Sequence, residues 1–154
     1  PDLAQGHYYL AMNLGQLART KSLGALKLVS EMETVFQKAA KLDSKFDYAG
    51  ADRCLGLLYF EAPGWPTSIG SRSKARTHLA RAVELSPDYP DNVLCLLEAW
   101  IKWNDRKQVA AVMKDAPNVI AKAKQTLTGD EWKDSWSSWD KRWARIQAKA
   151  ASMR

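Results

Sequence analysis

The chain has 154 residues, enough to bury a real core within one domain, and its 46% hydrophobic and 26% charged residues are those of an ordinary globular protein. No apolar run approaches the roughly 20 residues that span a bilayer, and no signal or transit peptide is visible; a start at Pro-Asp-Leu without methionine reads as a truncated or processed chain. The formal charge of +6 favours anionic partners, but its carriers are scattered, with Arg72, Lys74 and Arg76 near Arg81, and Lys141, Arg142 and Arg145 near the end. Without a long basic run they read as solvated surface, and no nucleic-acid partner is expected.

Residues 3–19 read as a helix with two adjacent stripes. Leu3, His7, Leu10, Leu14 and Leu17 recur at steps of 4 and 3, and Ala4, Tyr8, Ala11, Gly15 and Ala18 do so beside them. The second stripe is mostly small, which lets another helix approach closely. Residues 21–24 make a turn, and a second helix over 25–42 turns Leu28, Met32, Val35, Phe36, Ala39 and Leu42 inward. Residues 52–90 then read as a helix, a Pro/Gly loop, a second helix and a Pro-bounded turn. In that loop the prolines fix the path, Trp65 and Ile69 are expected to pin it to the core, and Ser71 is expected to cap the following helix. An anion cradle of Ser71, Ser73, Arg72 and Lys74 is the other reading, but the spacing lacks any phosphate-loop pattern.

The pattern repeats. Leu14-Gly15-x-Leu17-Ala18 returns as Leu55-Gly56-x-Leu58-Tyr59 after 41 residues, and Phe36, Ala39 and Leu42 return as Leu79, Ala82 and Leu85 after 43. Leu96, Leu97 and Trp100 lie 41 beyond Leu55, Gly56 and Tyr59. Ala75, Leu79, Ala82 and Pro87 have the residue types and offsets of the second helix of a tetratricopeptide hairpin, with about seven residues inserted into the roughly 34-residue repeat. The expectation is an all-α chain of stacked antiparallel hairpins, tetratricopeptide-like, in one domain over 1–154. The hairpins fall at about 3–44, 48–87 and 91–116, followed by a short helix over 118–127 and a long helix over 130–152. Asp91 is expected to cap the helix over 92–103, and Pro117 to stop the helix over 106–115. The last helix carries Trp132, Trp136, Trp139, Trp143, Ile146, Ala150 and Met153 at alternating steps of 4 and 3. Such a seam must be covered, by packing on the last hairpin as a cap or by another subunit.

No nucleophile elbow, phosphate loop, dinucleotide fingerprint or His-Glu-x-x-His motif is present, so no enzyme and no cofactor are expected. His7 reads as a hydrogen-bonded, half-buried residue and His78 as a solvated one. Cys54 and Cys95 stand 41 residues apart on successive repeats, too far for a disulfide, and read as small buried thiols; nothing has the spacing of a metal site. Function therefore falls to a surface. In stacked hairpins the first helices line the concave face, and the register exposes Tyr9, Met12, Gln16 and Arg19, then Arg53, Leu57 and Phe60, then Leu94, Glu98 and Ile101. Binding is expected there, with Tyr9, Gln16 and Arg53 as polar contacts and Leu57 and Phe60 as apolar wall. Two plainer readings stand beside it. The apolar members are buried under the final helix, or Arg53 is a structural tie to a backbone carbonyl or to an acid such as Asp47 or Glu98.

YYLAMNLGQLAR from Tyr8, FDYAGADRCLGLLYFEAPGWPTSIGSRSKARTHLARAVELSPDYPDN from Phe46 and the Trp-rich final helix together resemble the T-component (TatT) family associated with TRAP transporters. The likeness covers most of the chain, and the AGADRxLGLLY…APGWPxSIG combination is its most specific part. It implies a helical, tetratricopeptide-like periplasmic lipoprotein without catalytic activity. It also implies association with the solute-receptor subunit of a TRAP transporter, a small organic ligand and a homotrimer with a pore or crevice through each subunit. Family members are longer, so this chain resembles a C-terminal portion, with the lipid-bearing cysteine upstream of Pro1 and no other membrane attachment. A general peptide-binding scaffold is the alternative function, and an anion- or nucleic-acid-binding module a weaker third.

Overall fold

The computed structural model describes residues 2–20 and 24–153. As the periodicities predict, every regular element among them is helical. There are eight α-helices and one 3-10 turn, and the only strand-like pairing among the described residues is an isolated bridge between Gly64 and Gly70. The chain divides into two compact units, Pro1–Ser86 and Pro87–Arg154.

The first unit holds α1 (Ala4–Thr20), α2 (Ala25–Leu42), α3 (Phe46–Glu61) and α4 (Arg72–Leu85), each packed on the helix before it. Of the turn expected at 21–24, residues 21–23 lie outside the described residues. The repeat register holds for most of the core, with Phe36, Ala39, Leu55, Tyr59, Ala75, Leu79 and Ala82 all buried, but Leu42, expected inward, is 45% exposed at the last residue of α2. The α3–α4 contact shows why small residues recur in it. A Cβ on Gly56 would stand 2.6 Å from Leu79 Cγ, so only glycine lets the fully buried Leu79 seat between the two helices. Ser71 is extended and its hydroxyl accepts from the Lys74 amide, the cap expected of it.

The second unit is built around α5 (Pro90–Lys102). Against it pack α6 (Arg106–Val112), α7 (Ala116–Thr126) and α8 (Lys133–Ser152), the last entered through a 3-10 turn at Asp130–Trp132. The tryptophan seam is covered inside this unit. Trp139 and Ile146 are buried, the Trp132 and Trp139 rings meet Tyr89 edge-on at 6.3 and 5.4 Å, and the Trp136 indole donates to the Leu127 carbonyl at 2.7 Å. The last helix is thus a cap on the last hairpin, the first of the two alternatives.

Four local expectations are corrected. Trp65 does not pin its loop, being 89% exposed at the tip. The loop is braced by backbone instead, with the Gly70 amide on the Pro63 carbonyl at 2.8 Å and the Ser71 amide on the Tyr59 carbonyl at 2.9 Å. Asp91 does not cap α5. Tyr89 takes that position without a side-chain bond, Pro90 opens the first turn, and the Asp91 carboxylate turns to Arg142 of α8. Pro117 starts α7 rather than stopping α6, as proline's missing N–H allows in a first turn. His78 is not simply solvated, because its Nδ1 lies 2.8 Å from the fully buried Asp52 and its ring stacks on Tyr59.

Candidate functional site

The first unit carries an open, largely apolar groove of about 440 Å³ walled by α1, α2 and α3. From α1 come Met12, Gly15, Gln16, Ala18 and Arg19; from α2, Leu26, Val29, Met32 and Phe36; from α3 and its exit, Cys54, Leu57, Leu58, Glu61 and Pro63. The wall follows from the two stripes of α1. Tyr8 and Ala11 of the small stripe go down into the core, while Gly15 and Ala18 of the same stripe line the groove face beside Met12, which is 40% exposed. Gly15 keeps that face low, and the Met32 thioether sits over it, its methyl 3.0 Å from where a glycine Cβ would be. The floor is apolar, and the polar groups stand apart: Gln16, Arg19 and Glu61 are all exposed. Such a surface takes a partly apolar molecule or segment, with hydrogen bonds and one charge of each sign available for orientation.

The expected binding residues divide over three places. Gln16 and Leu57 line the groove. Tyr9 is 58% exposed but lies outside it, edge-on to Tyr8 and Phe46 at 5.5 and 6.1 Å. Phe60 is half-buried and also outside the lining. Arg53 is 6% exposed and serves the start of its own helix. Its guanidinium pairs with the Asp47 carboxylate at 2.9 Å and donates to the Tyr48 carbonyl at 3.3 Å and the Asp47 carbonyl at 3.4 Å.

That arrangement has a local cause. Asp47, Tyr48 and Ala49 have φ of 50°, 55° and 62°, a left-handed turn in three residues that are not glycine. Each such residue disfavours that conformation, so the turn needs outside ties. Arg53 binds two of its carbonyls, and the Tyr8 hydroxyl donates to Asp47 at 2.6 Å. Gly50 leaves room for them, since a Cβ there would stand 2.7 Å from Asp47 Oδ2 and 2.8 Å from the Tyr8 oxygen. Burial first, then the charge that Cys54 carries once it is ionised, and the bond to the Asp47 carboxylate hold the Tyr8 phenol far above its ordinary range.

A second polar seam joins α2, α3 and α4. Tyr59 donates to Glu33, receives Gln37 at 3.3 Å, and has Lys74 4.9 Å above its ring. Burial and the bond to Glu33 push its phenol up to about 12. Beside it, Asp52 meets His78 at 2.8 Å and Arg81 at 3.6 Å. These groups are committed to one another and tie helices together.

Of the third hairpin's expected exposed positions, Leu94 is fully buried and Glu98 is held by Arg142 at 2.8 Å. Sequence reasoning also missed the α2 wall, because only the first helices are expected to line the concave face. The available signal was Leu26 and Val29 beside the inward set of α2, a stripe too wide for one neighbour. No family model matches this chain, and no curated protein is significantly similar to it.

Proposed function

We propose that this chain is a non-catalytic periplasmic accessory protein of a TRAP-type solute transport system, of the TatT kind, tethered through a lipid anchor upstream of Pro1. Its α1–α2–α3 groove binds a small, partly apolar ligand or a segment of the solute-receptor subunit. The observation that carries this reading is the groove itself: an open apolar wall of about 440 Å³ that includes Gln16 and Leu57 and is rimmed by Arg19 and Glu61. The helical hairpins and the FDYAGADR and APGWPTSIG segments support the family. The deep placement of Arg53 moves the polar contacts from Arg53 to Gln16 and Arg19. Titration calorimetry of the chain against a TRAP-type solute-receptor subunit tests the reading, with wild type compared to Leu57→Asp. Binding by the wild type that is lost in the folded variant supports it, and equal binding by both removes the groove assignment.

The alternative is a general peptide-binding scaffold. It rests on the same groove, whose length along α1 from Met12 to Arg19 suits an extended or helical segment. Binding to unrelated amphipathic peptides as tight as to the receptor subunit favours this second reading.

A further inference from the structure

Three of the six sulfur atoms of this chain share one groove. Met12 of α1, Met32 of α2 and Cys54 of α3 line the same groove. The Met12 thioether lies 3.8 Å from the Cys54 thiol. Gly15, one turn beyond Met12 on the same face, leaves the space that the end of Met32 fills, with Met32 Sδ 3.9 Å from where a Cβ on that glycine would be. Cys54 is half-buried and Met12 is 40% exposed, so the cluster opens to solvent.

We propose that Cys54, Met12 and Met32 form a binding site for copper(I), one thiolate and two thioethers supplied by three helices. Three properties point to that ion. The first is geometry: at metal–sulfur distances of about 2.3 Å, sulfurs 3.8 Å apart subtend about 110° at the metal, as in a tetrahedral or slightly closed trigonal centre. The second is charge: one thiolate and one monovalent cation make a neutral complex, whereas a divalent ion leaves a net positive charge against an apolar wall. The third is ligand type: thioethers are soft donors that favour copper(I) and contribute little to zinc, magnesium or calcium. Among the described residues no group of three or more His, Cys, Asp or Glu is placed to hold a metal, so no conventional site competes.

Binding exchanges the S–H bond of Cys54 for an S–Cu bond and releases one proton to solvent. The thioethers donate lone pairs without losing protons, and copper stays in the +1 state throughout. The other cysteine is an internal control. Cys95 is 3% exposed with the Arg142 guanidinium 3.2 Å from its sulfur, a cation where an incoming metal would have to sit.

The inference does not depend on the transport reading, and its test is separate. The whole chain is titrated anaerobically with copper(I) against a chromophoric competitor, and with silver(I) as a redox-inert probe. Expected is one equivalent per chain with X-ray absorption showing sulfur ligands alone. Cys54→Ser should lose more than the roughly 10–100-fold that a change outside the ligand shell costs. Met12→Leu and Met32→Leu keep the side-chain volume and should each weaken binding, while Cys95→Ala should not. Unchanged affinity in Cys54→Ser, a nitrogen- or oxygen-coordinated metal, or a Met12→Leu/Met32→Leu double variant that binds like wild type overturns the proposal.

Discussion

The helices α1 and α8 carry the same kind of pattern and come to opposite ends. Both space large apolar residues at steps of 4 and 3. In α8 the stripe is closed within its own unit: Trp139 and Ile146 are buried, and Arg142 fastens the helix to Asp91 and Glu98 of α5. In α1 only one of two stripes is spent, and Leu3, Tyr9, Leu10, Met12 and Leu17 remain at 40% exposure or more. All the large apolar side chains that the described residues expose lie between Leu3 and Trp65, although most of the tryptophans lie beyond. Periodicity reports that a face is apolar. It does not report whether the cover is part of the chain; in the first unit Met12 opens onto the α1–α2–α3 groove, where an outside partner fits.

The contrast can be broken most sharply with two tryptophans. Trp139→Ala should cost about 3–5 kcal/mol in urea unfolding followed by circular dichroism, because it opens a cavity under α8. Trp65→Ala should stay within about 0.5 kcal/mol, since its side chain is 89% exposed. Next comes the buried arginine of the first unit. Arg53→Ala removes the cation beside a partly exposed Asp47 and unties two carbonyls of a left-handed turn, and a loss of about 1–3 kcal/mol is expected in the same assay.

The third effect is alkaline and confined to the first unit. Tyr59 is raised from its ordinary value near 10 to about 12, and Tyr8 is raised beyond that range. The folded state holds these protons where the unfolded chain has lost them, so the stabilisation is complete below pH 10; the share of Tyr59 is lost as pH rises through 12, and that of Tyr8 only above it. Absorbance at 295 nm should show an ionisation near pH 12 that Tyr59→Phe removes. A smaller effect is expected of Leu10→Gln and Leu17→Gln, each about 1 kcal/mol in thermal unfolding because nearly half of each side chain stays in water on folding.

The fold was legible because helix periodicity survives without tertiary context. The offsets of Ala75, Leu79 and Ala82 place all three in the core, and the seam of α8 is packed as its spacing requires. The site was half legible. Gln16 and Leu57 were readable from the repeat register, whereas Arg53 was not, because its role depends on a left-handed turn at Asp47–Ala49. No residue in that turn is a glycine that would have signalled it. Trp65 misled for a related reason: backbone bonds across Gly64, Gly70 and Pro63 hold the loop and leave the ring outside.

The central claim, that the α1–α2–α3 groove is the binding surface, is tested most directly by native mass spectrometry of the gently purified chain beside Leu57→Asp. The account predicts a small organic adduct on the wild type that is absent from the folded variant. Equal occupancy on both, or no adduct on the wild type together with receptor-subunit binding that Leu57→Asp leaves intact, would contradict it.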